Sequence, residues 1–280
     1  MNVDKIPCSA DERAALLATM TGLGGRDLSL PVGASIEAPL PVGEHWVTAA
    51  GASVENGVIV YVHGGGFTHR NPPLMNLLAE RISQATRRPA LVVHYPLAPE
   101  NPYPAPLDAV VDIYRALLGH IPADKVVFFS ESSGAALALS AMLRLEAAEK
   151  PAGVITVSAV TDLSLQSASI DTNTASDAGV TRELLASFIG AYLAGAPADQ
   201  APQSPIFGDL REMPPLLLAV GGAEALLDDT MRFGEAAATV GVETRIDVYE
   251  GMPHAFSLST LDEGHPTGRE LLNRVGAWVR

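Results

Sequence analysis

Six short runs of apolar and β-branched residues recur along the chain: Gly57 to Val62, Ala90 to His94, Lys125 to Phe129, Gly153 to Ser158, Leu216 to Val220 and Thr244 to Tyr249. Between and after them lie segments with apolar residues mostly at three- and four-residue spacing, which predicts helices over Pro73 to Gln84, Ala105 to Leu118, Ser133 to Ala148, Thr181 to Leu193, Leu226 to Val240 and His265 to Val279. Strands that are apolar throughout, rather than alternating, belong in a mostly parallel sheet covered on both faces. The pattern therefore predicts a three-layer α/β sandwich. Two stretches stand outside the alternation. Residues 1–42 open with an amphipathic helix, Ala10 to Met20, and then become rich in Gly and Pro; residues 163–202 are inserted between two strand candidates. Ligands of open α/β sheets bind beyond the carboxyl ends of the strands, where inserts can form a lid. The two stretches read together as a small helical cap on a main domain of residues 43–280.

Composition narrows the class. A chain of 280 residues, 48% of them hydrophobic, can bury a sizeable core, and its 25 glycines and 21 prolines are spread rather than clustered, against disorder or repeats. A formal charge of −14 disfavours nucleic acid and anionic lipid surfaces, both of which call for basic patches, and suits a small neutral substrate. The start, Met1 to Pro7, has neither a basic nor an apolar signal region, and no apolar run reaches the length of a membrane span, so the expected compartment is the cytoplasm. The single cysteine, Cys8, excludes an intrachain disulfide, and no Cys or His clusters around it to suggest a metal.

Candidate chemistry begins at Tyr61-Val62-His63-Gly64-Gly65-Gly66-Phe67, a strand end that breaks into three glycines. Without side chains, Gly64, Gly65 and Gly66 let backbone N–H groups approach a reacting oxygen, as an oxyanion hole requires. A plain turn or a phosphate cradle are the other readings, but neither the spacing of a dinucleotide fingerprint nor a closing Gly-Lys-Ser/Thr follows. Downstream, Val126 to Glu131 runs as a strand into Ser132-Ser133-Gly134 and a small-residue helix start. A serine on such a turn projects its hydroxyl above the sheet, with the N–H of Ser133 free to donate. Ser132 is the candidate nucleophile; that Ser130, Ser132 and Ser133 merely cap the helix is the competing account. After the strand Leu216 to Val220, Glu224 stands just past the strand end as candidate acid. Asp228 is the alternative, and both Asp228 and Asp229 suit the first turn of a helix. His254, in the loop after the last strand candidate, is placed to act as base toward Ser132 and acid toward a leaving group. The order Ser, acid, His is that of the α/β-hydrolases. The other histidines except His63 read as surface or packing residues.

Taken together, these blocks resemble the hormone-sensitive-lipase-like branch of the α/β-hydrolases, the bacterial family IV esterases. The resemblance rests on His63 to Phe67, on Tyr95-Pro96-Leu97-Ala98-Pro99-Glu100 with Tyr103 to Asp108, on the elbow at Ser132, on Gly221 to Asp229, and on Pro253-His254-Ala255-Phe256. It implies an α/β-hydrolase fold with a small helical cap. It implies an ester hydrolase working through an acyl-enzyme, with Ser132, Glu224 and His254 as triad and N–H groups of Gly64 to Gly66 and Ser133 as oxyanion donors. His63 would orient the glycine loop, and Tyr95 to Glu100 would support it. No metal or organic cofactor is implied. Esterases of this type often form homodimers. Three features depart from the family pattern: Ser130-Glu131-Ser132-Ser133-Gly134 replaces Gly-Asp-Ser-Ala-Gly, the acid is Glu rather than Asp, and the N-terminal region is short.

The resemblance suggests short to medium acyl esters. Candidate pocket residues are Phe67, Met20, Leu23, Phe188 and Met252, all of which also suit the core of a cap. A non-hydrolytic lyase or cyclase, or a small-molecule receptor, on the same scaffold are the alternative functions, since a fold does not fix its reaction.

Overall fold

The computed structural model describes residues 1–43, 45–177 and 179–279. Within them an eight-stranded sheet is built from β1 (Asn2–Ile6), β2 (Trp46–Val47), β3 (Val58–Val62), β4 (Ala90–Val93), β5 (Val126–Glu131), β6 (Gly153–Val157), β7 (Leu216–Gly221) and β8 (Thr244–Tyr249). Their spatial order is β1-β8-β7-β6-β5-β3-β4-β2. All neighbours pair parallel except β2, which runs antiparallel to β4. The six expected strands are β3 to β8.

The helices are α1 (Ala10–Gly22), α2 (Pro72–Thr86), α3 (Ala105–Leu118), α4 (Ser133–Met142), α5 (Ser169–Thr172), α6 (Arg182–Leu193), α7 (Leu227–Thr239) and α8 (Pro266–Trp278). Alternation along β3 shows how the layers form. Val58, Val60 and Val62 face one core with residues of α3, α4 and α7, while Ile59 and Tyr61 face the other with α2 and α8. Both faces are covered, which is why the strands read as continuous apolar runs. All ten residues of α4 are buried; its alanines and Gly134 let it lie close against the strand ends.

Two expected elements come out differently. Residues 2–6 are not part of a cap: β1 pairs with β8 from Asn2↔Arg245 to Ile6↔Tyr249, closing the sheet edge with backbone hydrogen bonds. Its side chains are mostly exposed, so it carries no apolar run. The helix expected to reach Ala148 ends at Met142 and is followed by a short 3₁₀ turn over Ala147–Glu149. The insert between β6 and β7 carries α5 and α6, and α6 lies over the glycine loop: a Cβ added at Gly66 would come within 2.3 Å of the Phe188 ring. Among the described residues no helix is long and apolar enough to cross a membrane.

Candidate active site

The end of β5 turns sharply into α4 at Ser132, whose backbone adopts φ 50° and ψ −122°. That strained conformation is held from three sides. Its N–H donates to Val157 O at 2.9 Å, its carbonyl accepts from Ala135 N at 3.0 Å, and a Cβ at Gly134 would stand 2.3 Å from the carbonyl oxygens of Val62 and His63. The Ser132 hydroxyl makes no capping bond to the helix, so the capping account of this serine does not hold. Ser130, where the family pattern has glycine, is buried and donates to Ile155 O at 3.2 Å, so its side chain is accommodated without disturbing the turn.

The glycine loop lies directly beside this turn. A Cβ at Gly64 would be 3.2 Å from Ser132 Cβ, and Gly65 and Gly66 have φ of +115° and +61°, conformations that favour glycine. Among the described residues no protein acceptor takes the N–H groups of Gly65, Gly66 or Ser133. His63 is 2% exposed, stacks on Tyr95 at 4.3 Å and donates from Nδ1 to Gly64 O at 2.6 Å; burial lowers its pKa to about 4, so the ring is neutral. The Tyr95 hydroxyl donates to His63 O, Ala98 N donates to Phe67 O, and Phe67 N donates to Ser133 Oγ. The loop is thus fixed at both ends by residues of the Tyr95 to Glu100 segment and of the elbow.

Glu224 is fully buried. Its Oε2 accepts from Ser158 Oγ at 2.7 Å and from Gly221 N at 2.8 Å, which aims Oε1 at His254 Nδ1, 3.7 Å away. Neither Oε1 nor Nδ1 has a hydrogen-bond partner within normal reach among the described residues, and each is the other's ion-pair partner. The loops that carry them are joined by Ala223 N donating to Met252 O at 2.9 Å. Burial alone would depress the imidazole; Glu224, and then Asp177 and Glu131, outweigh it and the net pKa shift is upward. Asp228 does not face His254. Its Oδ2 accepts from Ser169 N, while Asp229 accepts from Thr161 N, Asp162 N and Ser167 Oγ, so both aspartates tie α7 to the start of the insert.

Ser132, His254 and the three glycines line one cavity of about 570 Å³. Its walls are mainly apolar, from α2 (Leu74, Leu78) and α6 (Leu185, Phe188), with Glu131 set among them. Glu131 accepts from the Tyr61 hydroxyl at 2.6 Å; burial pushes its carboxyl up, against hydrogen bonds from Ser257 and Tyr61. Of the expected pocket residues, Phe67 and Phe188 line the cavity. Met20, Leu23 and Met252 do not; they pack into the core between the sheet, α2 and α8. The residues that sequence reading missed are Ser158, Glu131 with Tyr61 and Ser257, and Asp177. Tyr61, Glu131 and Ser158 each carried a signal, Tyr61 and Glu131 inside the quoted glycine-loop and elbow segments and Ser158 at the carboxyl end of an expected strand.

A family model for the alpha/beta hydrolase fold matches residues 59–258. An esterase of Acinetobacter venetianus is 40% identical over 212 residues, which span 72% of this chain and 68% of that protein. An acetyl-hydrolase of Streptomyces hygroscopicus is 31% identical over 225 residues, spanning 79% and 75%. Among solved structures, an esterase from the bacterial hormone-sensitive lipase family superposes with a TM-score of 0.88 at 28% identity, covering 98% of each chain.

Proposed function

Since the chain belongs to the bacterial hormone-sensitive-lipase-like esterases of the α/β-hydrolase fold and is a carboxylic-ester hydrolase, we propose that Ser132, His254 and Glu224 form its catalytic triad and act through an acyl-enzyme. The observation that carries this reading is the convergence of Ser132, His254 and the glycine loop on one cavity, with Glu224 directly behind the imidazole.

In this mechanism His254 Nε2 takes the Ser132 proton as Oγ bonds to the ester carbonyl carbon. The resulting oxyanion is held by the unpaired N–H groups of the glycine loop and Ser133. The imidazolium is stabilised by Glu224, whose second oxygen is locked by Ser158 and Gly221. As the carbonyl reforms, the ester C–O bond breaks and His254 passes its proton to the leaving alkoxide. Water, deprotonated by the same imidazole, then attacks the acyl carbon, and Ser132 leaves with the proton as the carboxylic acid is released. A cavity of about 570 Å³ with mainly apolar walls suits short to medium acyl chains. Ser130 fits the elbow without loss of the turn, so the departure from the family pattern there gives no support to a lyase or cyclase, and no observation favours a receptor.

The test is hydrolysis of p-nitrophenyl esters from acetate to decanoate. Wild type is expected to turn over the short and middle members, with Ser132→Ala folded and slower by roughly 10⁵–10⁶ in kcat. Equal rates from the two proteins would remove Ser132 from the mechanism.

A further inference from the structure

One segment of the insert, residues 173–177, is bound to both loops of the proton relay. Asn173 Nδ2 donates to Glu224 O at 2.9 Å, and Ser176 Oγ donates to Ala223 O at 2.9 Å. Asp177, partly buried, receives one backbone N–H from each loop: Ala225 N at 2.6 Å on Oδ2 and His254 N at 3.3 Å on Oδ1. Ala225 follows the triad acid in the chain, and His254 is the base itself. A single carboxylate thus spans the two loops, 48 and 77 residues distant in sequence. A carboxylate is suited to this task because its two oxygens accept in divergent directions and its bonds to N–H groups are charge-assisted.

We propose that Asp177 is a positioning residue that sets the approach of His254 to Glu224, so that the insert covering the cavity also holds the proton relay in register. This inference rests on the esterase reading above. Direct backbone coupling between the loops, Ala223 N to Met252 O, stops short of His254. The bond from His254 N to Asp177 holds the histidine's own backbone, and through it the ring that must keep Nδ1 toward Glu224 Oε1. The charge acts in the same sense as the geometry. The groups that face the imidazole are Glu224 from the acid loop, Glu131 from the elbow and Asp177 from the insert, and all three favour the imidazolium against its burial.

The test compares wild type, Asp177→Asn and Asp177→Ala. Asparagine keeps the shape but offers one accepting oxygen and no charge; alanine offers neither. Misplacement of a catalytic group by about 1 Å costs about 10²-fold. Asp177→Ala is therefore expected to lose about 10²-fold in kcat with KM changed much less, and Asp177→Asn an intermediate amount. In both, the acid limb of kcat/KM moves to lower pH, and the downfield proton resonance of the His254 Nδ1–H changes, whereas a purely structural anchor would move neither. Wild-type kcat and wild-type acid limb in both variants would overturn the proposal, as would a loss confined to KM. An Asp177→Asn protein that fails to fold would also overturn it, in favour of a purely structural anchor. Labelling of Ser132 in wild type by a fluorophosphonate separates the two claims: a labelled, active wild type with unaffected Asp177 variants refutes this inference alone, whereas an unlabelled, inactive wild type refutes the esterase mechanism beneath it.

Discussion

Gly134 and Gly66 face different obstacles, and the difference is measurable. At Gly134 a side chain would strike the carbonyl oxygens of Val62 and His63 at 2.3 Å, backbone that cannot yield without moving β3. Gly134→Ala is expected to lower stability by about 1–3 kcal/mol and to pull the elbow away from the glycine loop, with most activity lost. At Gly66 the obstacle is the Phe188 ring, a side chain on α6, together with a left-handed backbone at φ +61°. Gly66→Ala should therefore be impaired, and adding Phe188→Ala should recover part of the kcat. Phe188→Ala alone widens the cavity and should move the ester chain-length optimum upward. In the proposed mechanism the His254 imidazole is the base and sets the pH response. Its pKa is raised above the ordinary 6.5, and the base must be neutral to accept a proton. The rise of kcat/KM with pH is thus expected to have its midpoint above 6.5. A midpoint at or below that value would contradict the set of carboxylates placed around His254.

At the scale of elements, the insert is anchored through Asp229 at the start of α7. Its carboxylate accepts from Thr161 N at 2.8 Å, Asp162 N at 3.1 Å and the Ser167 hydroxyl. Asp229→Ala leaves these buried donors unpaired and should cost about 2–4 kcal/mol, read from denaturant unfolding. Burial raises the Asp229 pKa from 3.8 to about 6, despite the hydrogen bonds that pull it down. The folded state then holds this proton more tightly than the unfolded chain, so the group's contribution to stability falls as pH rises from about 4 to about 6 and is level above that. Wild type should lose stability relative to Asp229→Asn across this window, and a constant difference would refute the assignment. Sequence reading placed Asp228 and Asp229 at the helix start for its dipole. Their role as anchors was invisible because it exists only once residues 161–169 are brought back onto α7.

Across the whole molecule, legibility followed burial and range. β3 to β8 were legible because strands covered on both faces must be apolar throughout. β1 was not, because its side chains are mostly exposed and its partner, β8, lies at the other end of the chain. β2, with two residues, and α5, with four, are too short to carry a period. As candidates, Ser132, Glu224 and His254 were legible because local turns position each of them. Ser158 and Asp177 were not, because their contacts span 48 to 77 residues and depend on the insert and the strand ends meeting. The sheet edge also makes a prediction. Arg274 bridges Asp4 of β1 and the buried Asp247 of β8, which keeps Arg245 as a second partner. Arg274→Met should destabilise by about 1–3 kcal/mol, measured by thermal or denaturant unfolding, without altering kcat, since the network lies away from the cavity lining.

The central claim is that Ser132 forms a covalent intermediate, and its most direct test is intact-mass and peptide-mapping mass spectrometry after brief exposure to a fluorophosphonate. One adduct per chain, mapped to Ser132, absent from Ser132→Ala and formed in step with the loss of ester hydrolysis, is the predicted result. Undiminished hydrolysis by an unlabelled protein, or inactivation through an adduct on another residue, would contradict it.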